Sequence, residues 1–329
     1  MPAPAAAIHN QIDGLRFFKA YLITMRPYLL FVSGITGLAG VSFAAGTTMT
    51  GTALIFAASF LSYGFGQALT DCFQVDTDSL SSPYRPLTQG IISRRSVLLV
   101  SLAGLAFCIT IFVWYNPLNL LLGSLSGFGL LTYSYFKRKW WAGPWYNAWI
   151  VAVLFLMGYF AGPQNSSLAF TSSTRWTLLT VFVGYGNFVL SGYFKDIGAD
   201  RATGYRTLPV VFGRKIAAYV SDLFAFVAIV SALAAIADAG VRFPSPFRFA
   251  ASITFAVSGI FMMLLSQKRL HHVTSDEEAH AAITPTVHGY ILLLSAIISL
   301  QQPAWIELLA LNYAAFIVAM RLRPERSQI

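Results

Sequence analysis

Val97-Leu98-Leu99-Val100-Ser101-Leu102-Ala103-Gly104-Leu105-Ala106-Phe107-Cys108-Ile109-Thr110-Ile111-Phe112-Val113 runs for seventeen residues without a charge. Its apolar residues form one block and do not follow amphipathic spacing. The block is close to the ~20 residues a helix needs to cross ~30 Å of hydrocarbon. Residues 144–161 and 249–265 are likewise free of charge. No water is available there to satisfy backbone polar groups, so such blocks are expected to be helices. Of the 329 residues, 56% are hydrophobic and 11% charged, against about 25% charged in an ordinary soluble protein. The expected fold is an all-α polytopic membrane protein, with 1–329 as a single domain.

Apolar blocks between turn and charge signals give ten segments, at 17–45, 52–77, 96–114, 117–136, 144–162, 176–196, 213–237, 248–267, 284–301 and 304–321. Gln301-Gln302-Pro303 reads either as a turn between two short spans or as a break within one re-entrant element. The stretch before Phe17 has no apolar core, so targeting is expected to rely on the first membrane helix. Cys72 and Cys108 have neither metal nor disulfide spacing and read as free thiols.

The net charge of +9 raises the question of nucleic acid. One set of alternate loops carries Arg16 and Lys19, then Arg85, Arg94 and Arg95, then Lys137, Arg138 and Lys139. It continues with Lys195, Arg201, Arg206, Arg214 and Lys215, then Lys268 and Arg269, then Arg321, Arg323 and Arg326. The other set holds only Arg175, Arg242 and Arg248, and Arg26 lies inside the first segment. An eighteen-to-three split is the positive-inside pattern and puts both termini on the cytoplasmic side. Spread over every loop of one side, these charges suit a lipid bilayer and argue against a nucleic-acid partner.

Five of the thirteen acidic residues fall in two clusters on that same side. Gly66-Gln67-Ala68-Leu69-Thr70-Asp71-Cys72-Phe73-Gln74-Val75-Asp76-Thr77-Asp78 closes segment two, and Lys195-Asp196-Ile197-Gly198-Ala199-Asp200-Arg201 closes segment six. On an unbroken helix Asp71 and Asp78 return to nearly one face, flanked by Gln67 and Gln74, while Asp76 points away. Asp196 and Asp200, four apart, share a face as well. Facing carboxylates repel unless a cation sits between them. Mg²⁺ prefers oxygen ligands and binds through one or two carboxylates plus substrate phosphates. Arg85, in Pro83-Tyr84-Arg85-Pro86, and Arg206, in Gly204-Tyr205-Arg206-Thr207-Leu208-Pro209, offer planar forks suited to phosphate oxygens.

These runs resemble the signatures of the UbiA superfamily of intramembrane prenyltransferases. The second signature reads Asp196-Ile197-Gly198-Ala199-Asp200-Arg201-Ala202-Thr203-Gly204-Tyr205-Arg206-Thr207-Leu208-Pro209, an almost complete match. Arg26-Pro27, Tyr133-Ser134, and Gly143-Pro144 with Asn147 also look like the family. The resemblance spans about 16–300 and implies nine transmembrane helices, leaving 301–329 as an extra tenth helix and a basic tail. The first signature departs from the pattern, with Thr70 at the usual Asn and Gln74 at the usual second Asp. A register with one inserted residue would instead use Gln67, Asp71 and Asp76. The register without insertion is preferred because it keeps Asp78 on the Asp71 face.

The resemblance implies an Mg²⁺-dependent enzyme that ionises an allylic prenyl diphosphate and passes the prenyl group to an aromatic or other lipophilic acceptor. The implied metal ligands and catalytic groups are Asp71, Asp78, Asp196 and Asp200, with Gln74 as a further ligand. Arg85, Lys195, Arg206 and Lys137 are the diphosphate-binding candidates. Aromatics near the acidic ends, Tyr63, Phe65, Tyr185, Phe188 and Tyr193, can face a carbocation. Arg26, Tyr63, Asn147, Asn187, Tyr193 and Asp222 are the substrate-pocket candidates, since polar groups within apolar segments point to function. Asp222 reads equally as a structural hydrogen-bond partner of a neighbouring helix. His271, His272 and His280, with Asp276, Glu277 and Glu278, read as a solvated loop. Two rivals stand beside this reading: a UbiA-type terpene cyclase using the same ionisation, and a secondary transporter.

Overall fold

The computed structural model describes residues 14–44, 46–162, 170–239 and 246–323. Arg242 and Arg326 of the charge pattern lie outside the described residues. All ten apolar segments are helical. The first is broken, with α1 (Gly14–Met25) and α2 (Leu30–Ser42) meeting at a 42° bend. Pro27 contributes no backbone N–H, and Arg26 takes a left-handed conformation at φ 53°, so the ladder cannot pass through. Then follow α3 (Met49–Asp71), the short α4 (Val75–Ser81), α5 (Arg94–Tyr115), α6 (Leu118–Lys139), α7 (Gly143–Phe160) and α8 (Ser172–Tyr193). The short α9 (Ile197–Ala202) precedes α10 (Leu208–Asp238), α11 (Pro246–Leu270), α12 (His280–Gln301) and α13 (Ile306–Arg321).

Among the described residues, six helical spans are long and apolar enough to cross a membrane, or seven if α1 and α2 form one span. α6, α7 and α8, of 22, 18 and 22 residues, fall outside that set. The expected nine or ten crossings therefore depend on counting these three. Large apolar side chains such as Leu99, Phe107, Leu121, Phe226 and Phe261 face outward, as a lipid solvent allows. The core gathers around α12, where Ile291, Leu294, Ile297 and Ile298 are fully buried.

Gln301-Gln302-Pro303 is a turn between two antiparallel helices. His288, before the turn, hydrogen-bonds Tyr313, after it, at 2.8 Å and packs on Phe316.

Small residues bring two backbones of the bundle into contact. A β-carbon on Gly40 of α2 would lie 2.1 Å from the Phe155 carbonyl oxygen of α7, and one on Gly158 would lie 2.4 Å from the Gly37 carbonyl oxygen. The two backbones touch, fixing α7 against α2. Polar bridges tie other pairs. Asn119 donates to the carbonyls of Phe112 and Met157, and Thr36 meets Tyr290 at 2.7 Å.

Candidate active site

The two acidic segments share one local design. In each, a long helix tightens and stops. The Gln74 amide bonds back to the Asp71 carbonyl at 3.2 Å, and the Asp196 amide to the Tyr193 carbonyl at 3.2 Å. A short helix then starts, with Gln74 at the N-cap of α4 and Asp196 at the N-cap of α9. Asp78 and Asp200 are each the fourth residue of their short helix. The assumption of an unbroken helix through Asp78 is thus corrected, because the ladder ends at Asp71 and restarts at Val75. The pairing of Asp71 with Asp78 survives through a shared cation: Arg85 Nη1 lies 2.5 Å from Asp78 and 4.0 Å from Asp71.

Asp71 is held further by Arg26 Nη2, 3.1 and 3.0 Å from its two oxygens, and by Gln67 Nε2 at 2.6 Å. Asp200 is fully buried. Its oxygens accept from Thr77 of α4 at 3.2 Å and from Thr207 at 3.2 Å, and Lys137 Nζ lies 3.4 Å away. The same ammonium donates to Gln74 Oε1 at 3.1 Å, while Gln74 Nε2 donates to Ser134. Lys137 therefore joins α4 to α9, and two acidic segments more than a hundred residues apart in the chain meet.

Placement of the other candidates follows from the same geometry. Asp76 points away from the cluster, 41% exposed, and pairs with Arg138. Lys195 and Asp196 are half-buried, and Lys195 lines an open groove of ≈ 360 Å³ with Ser81, Tyr84 and His280. Arg206 is exposed, and its backbone amide bonds the Arg138 carbonyl. Asn187 is fully buried between helices, accepting from Ser221 at 2.6 Å and facing the Met263 sulfur. Asp222 pairs with His271 at 2.7 Å on the outer face. Tyr193 hydrogen-bonds Tyr133 at 2.7 Å, with Lys137 Nζ 5.1 Å from its ring centroid. Asp276, read as part of a solvated loop, instead accepts from the Gly198 amide and pairs with Arg214, clamping that loop onto α9.

Burial pushes Asp78 and Asp200 above the ordinary carboxylate range in spite of Arg85 and Lys137 beside them. Partial burial opposes ionisation of Asp196 as well, but Lys195, Lys137 and Arg85 outweigh it and hold it below that range. Burial brings Lys195 down to about 8. Among the described residues, no three His, Cys, Asp or Glu side chains converge on one point. Paired carboxylates completed by phosphate oxygens and water fit the way Mg²⁺ binds; a closed protein cage does not.

Beside this cluster a cavity of ≈ 90 Å³ lies between α3, α5, α6 and α7. Gln67, which donates to Asp71, and Thr70 line it, together with Tyr63, Asn147, Tyr185, Phe112 and Met157. Thr77, Thr207 and Ser134 were missed as site residues. Thr77 sits inside the quoted acidic run and reaches Asp200 only through the packing of α4 on α9, while Thr207, inside the quoted second signature, reaches it within its own segment.

Residues 33–284 match the model of the UbiA prenyltransferase family. The chain is 30% identical over 271 residues to a digeranylgeranylglyceryl phosphate synthase of Thermococcus kodakarensis, covering 80% of this chain and 91% of that protein. It is 30% identical over 223 residues to the synthase of the same name from Methanococcoides burtonii, covering 65% and 78%. Among solved structures, the fold is similar to the apo form of a UbiA homolog from Aeropyrum pernix K1, with a TM-score of 0.69, 20% identity, and 82% and 96% coverage. It is also similar to a UbiA homolog from Archaeoglobus fulgidus bound to DMAPP and Mg²⁺, with a TM-score of 0.61, 15% identity, and 91% and 96% coverage. With both signatures on adjoining helix ends and the family match over most of its length, the chain belongs to the UbiA prenyltransferase family and is a multi-pass membrane prenyltransferase.

Proposed function

We propose that the two acidic ends grip an allylic prenyl diphosphate on the cytoplasmic side of the membrane, and that its hydrocarbon chain enters the cavity between α3, α5, α6 and α7. The observation that carries this reading is the contact of α4 with α9 through Thr77, Asp200 and Lys137. Asp71 and Asp78 on one side, and Asp196 and Asp200 on the other, would hold Mg²⁺. When bound, that ion supplies Lewis-acid charge neutralisation to the diphosphate oxygens. Arg85, between Asp71 and Asp78, and Lys195, next to Asp196, offer charged donors to the leaving group, and Lys137 adds a third. Arg26 holds Asp71 in place and reaches the space at the cavity mouth.

The allylic C–O bond breaks, the electron pair leaves with the diphosphate, and the cation is attacked by a nucleophilic atom of the acceptor, which then loses its proton. Apolar walls exclude the water that would otherwise quench the cation. The π faces of Tyr63 and Tyr185, which line the cavity, can stabilise it. The acceptor is a lipophilic molecule reaching the mouth from the bilayer. A glyceryl phosphate lipid, the class in the names of the relatives, heads the panel to be tried.

The test is incubation of purified protein with geranylgeranyl diphosphate and Mg²⁺, with and without members of an acceptor panel, and mass spectrometry of the products. A prenylated acceptor is expected. A cyclic hydrocarbon formed without acceptor would replace transfer with cyclisation. Solute uptake into liposomes without any diphosphate turnover would remove the enzyme reading altogether.

A further inference from the structure

Three glycines line the cavity, Gly66, Gly123 and Gly127, and two of them are explained by packing. A β-carbon on Gly123 would meet Ile109 at 2.8 Å, and one on Gly66 would meet Leu130 at 3.3 Å. A β-carbon on Gly127 would have nothing within 4 Å. Other described glycines with such open space have a conformational or positional reason. Gly90, Gly204 and Gly213 adopt φ of 70°, 77° and 82°. Gly14 opens α1, and Gly192 lies in the last turn of α8. Gly127 sits near the middle of α6, in ordinary helix, where glycine costs about 0.5–1 kcal/mol relative to alanine. Neither packing nor backbone geometry calls for it.

Its depth can be read from the neighbouring helix. α3 and α6 run side by side in the same direction: Ser134 reaches the Thr70 carbonyl at 3.5 Å, and Gly66 is level with Leu130. Both pairs are offset by 64 residues, so Gly127 stands level with Tyr63. Tyr63 precedes Asp71 by eight residues, which places Gly127 about 12 Å below the carboxylate at 1.5 Å per residue. A five-carbon chain anchored at the acidic ends stays above that level, and a twenty-carbon chain must pass it.

We infer that Gly127 is a specificity-determining residue, a notch in the cavity wall that admits long prenyl chains past Tyr63. This rests on the reading of the cavity as the place of the prenyl chain. Gly127→Leu fills the notch without touching the acidic ends, and Gly127→Ala fills it partly.

The experiment measures kcat/KM for dimethylallyl, geranyl, farnesyl and geranylgeranyl diphosphates with one acceptor, for wild type and both variants, alongside their melting temperatures in detergent. In Gly127→Leu the value for the longest donor is expected to fall by about tenfold or more while that for the shortest stays within about twofold, a discrimination of the size apolar pockets reach. Gly127→Ala should fall between, with a melting temperature no lower than wild type. An equal fall across all donors, or no change for the longest, overturns the inference while leaving the transferase reading intact. Wild type that turns over no prenyl diphosphate overturns both. If Gly127→Leu fails to fold, the graded loss in Gly127→Ala decides the matter.

Discussion

The α3–α4 corner and the α8–α9 corner are two versions of one device. Each ends a long helix with tightened bonds, restarts at a polar N-cap, and presents a carboxylate from the fourth residue of a short helix. They differ in what occupies the equivalent positions. The first corner has Asp71 where the second has Tyr193, and Gln74 where the second has Asp196. They also differ in what restrains them. Asp71 and Asp78 are held by arginines, Arg26 and Arg85, from flanking loops. Asp200 is held by one buried lysine and two threonines. Both corners are buried, the first held by two guanidinium groups and the second by an ammonium and two hydroxyls. A common backbone plan leaves the division of labour to side chains.

The largest expected effect probes that difference in partners. Lys137→Ala leaves Asp200, fully buried, without its cation, and removing one partner of a buried pair costs about 3–5 kcal/mol. Unfolding in detergent should show a large loss for Lys137→Ala and a small one for Lys137→Arg. Equal stability of Lys137→Ala and wild type would mean that the second corner is no more fixed than the first. Next come Asp71→Ala and Asp200→Ala, each expected to lower turnover by about 10²–10³-fold, the size of a lost electrostatic contact to the reacting charge. If one variant keeps full turnover with a normal fold, the two corners do not act together.

Gln74→Asp sharpens the comparison by giving α4 the N-cap carboxylate that α9 has. The Mg²⁺ concentration for half-maximal activity should fall several-fold, because added ligand charge tightens divalent binding. An unchanged Mg²⁺ requirement would show that position 74 does not face the metal. Asp76→Ala should change stability by only about 0–1 kcal/mol, as expected of an exposed ion pair, and leave turnover near wild type. Complete loss of turnover there would restore the alternative register.

The helices were legible because hydrocarbon imposes one simple rule on composition, and all ten apolar segments obey it. The acids were legible because carboxylates at the ends of apolar blocks have few roles. What could not be read was local: nothing between Asp71 and Val75 is a Gly or Pro, yet the helix stops there. Its end is set by the docking of α4 on α9, a contact between distant parts of the chain. Arg206 and Asn187 show the same limit from the other side. A cation next to an acidic signature can still point into solvent, and a polar residue inside an apolar helix can spend its hydrogen bonds on its neighbours. Asp222, whose alternatives the sequence left open, pairs with His271 of the α11–α12 connection.

The backbone contact of α2 with α7 places a demand far from any charge. One methyl group on Gly40 or Gly158 has no side chain to push aside, only main chain, so it must shift the whole of α7 and carry Asn147 and Ile150 with it. The chamber is thereby vulnerable to the smallest mutations at its most inert-looking positions, and inherited loss of activity in such a protein need never touch the residues that perform the reaction.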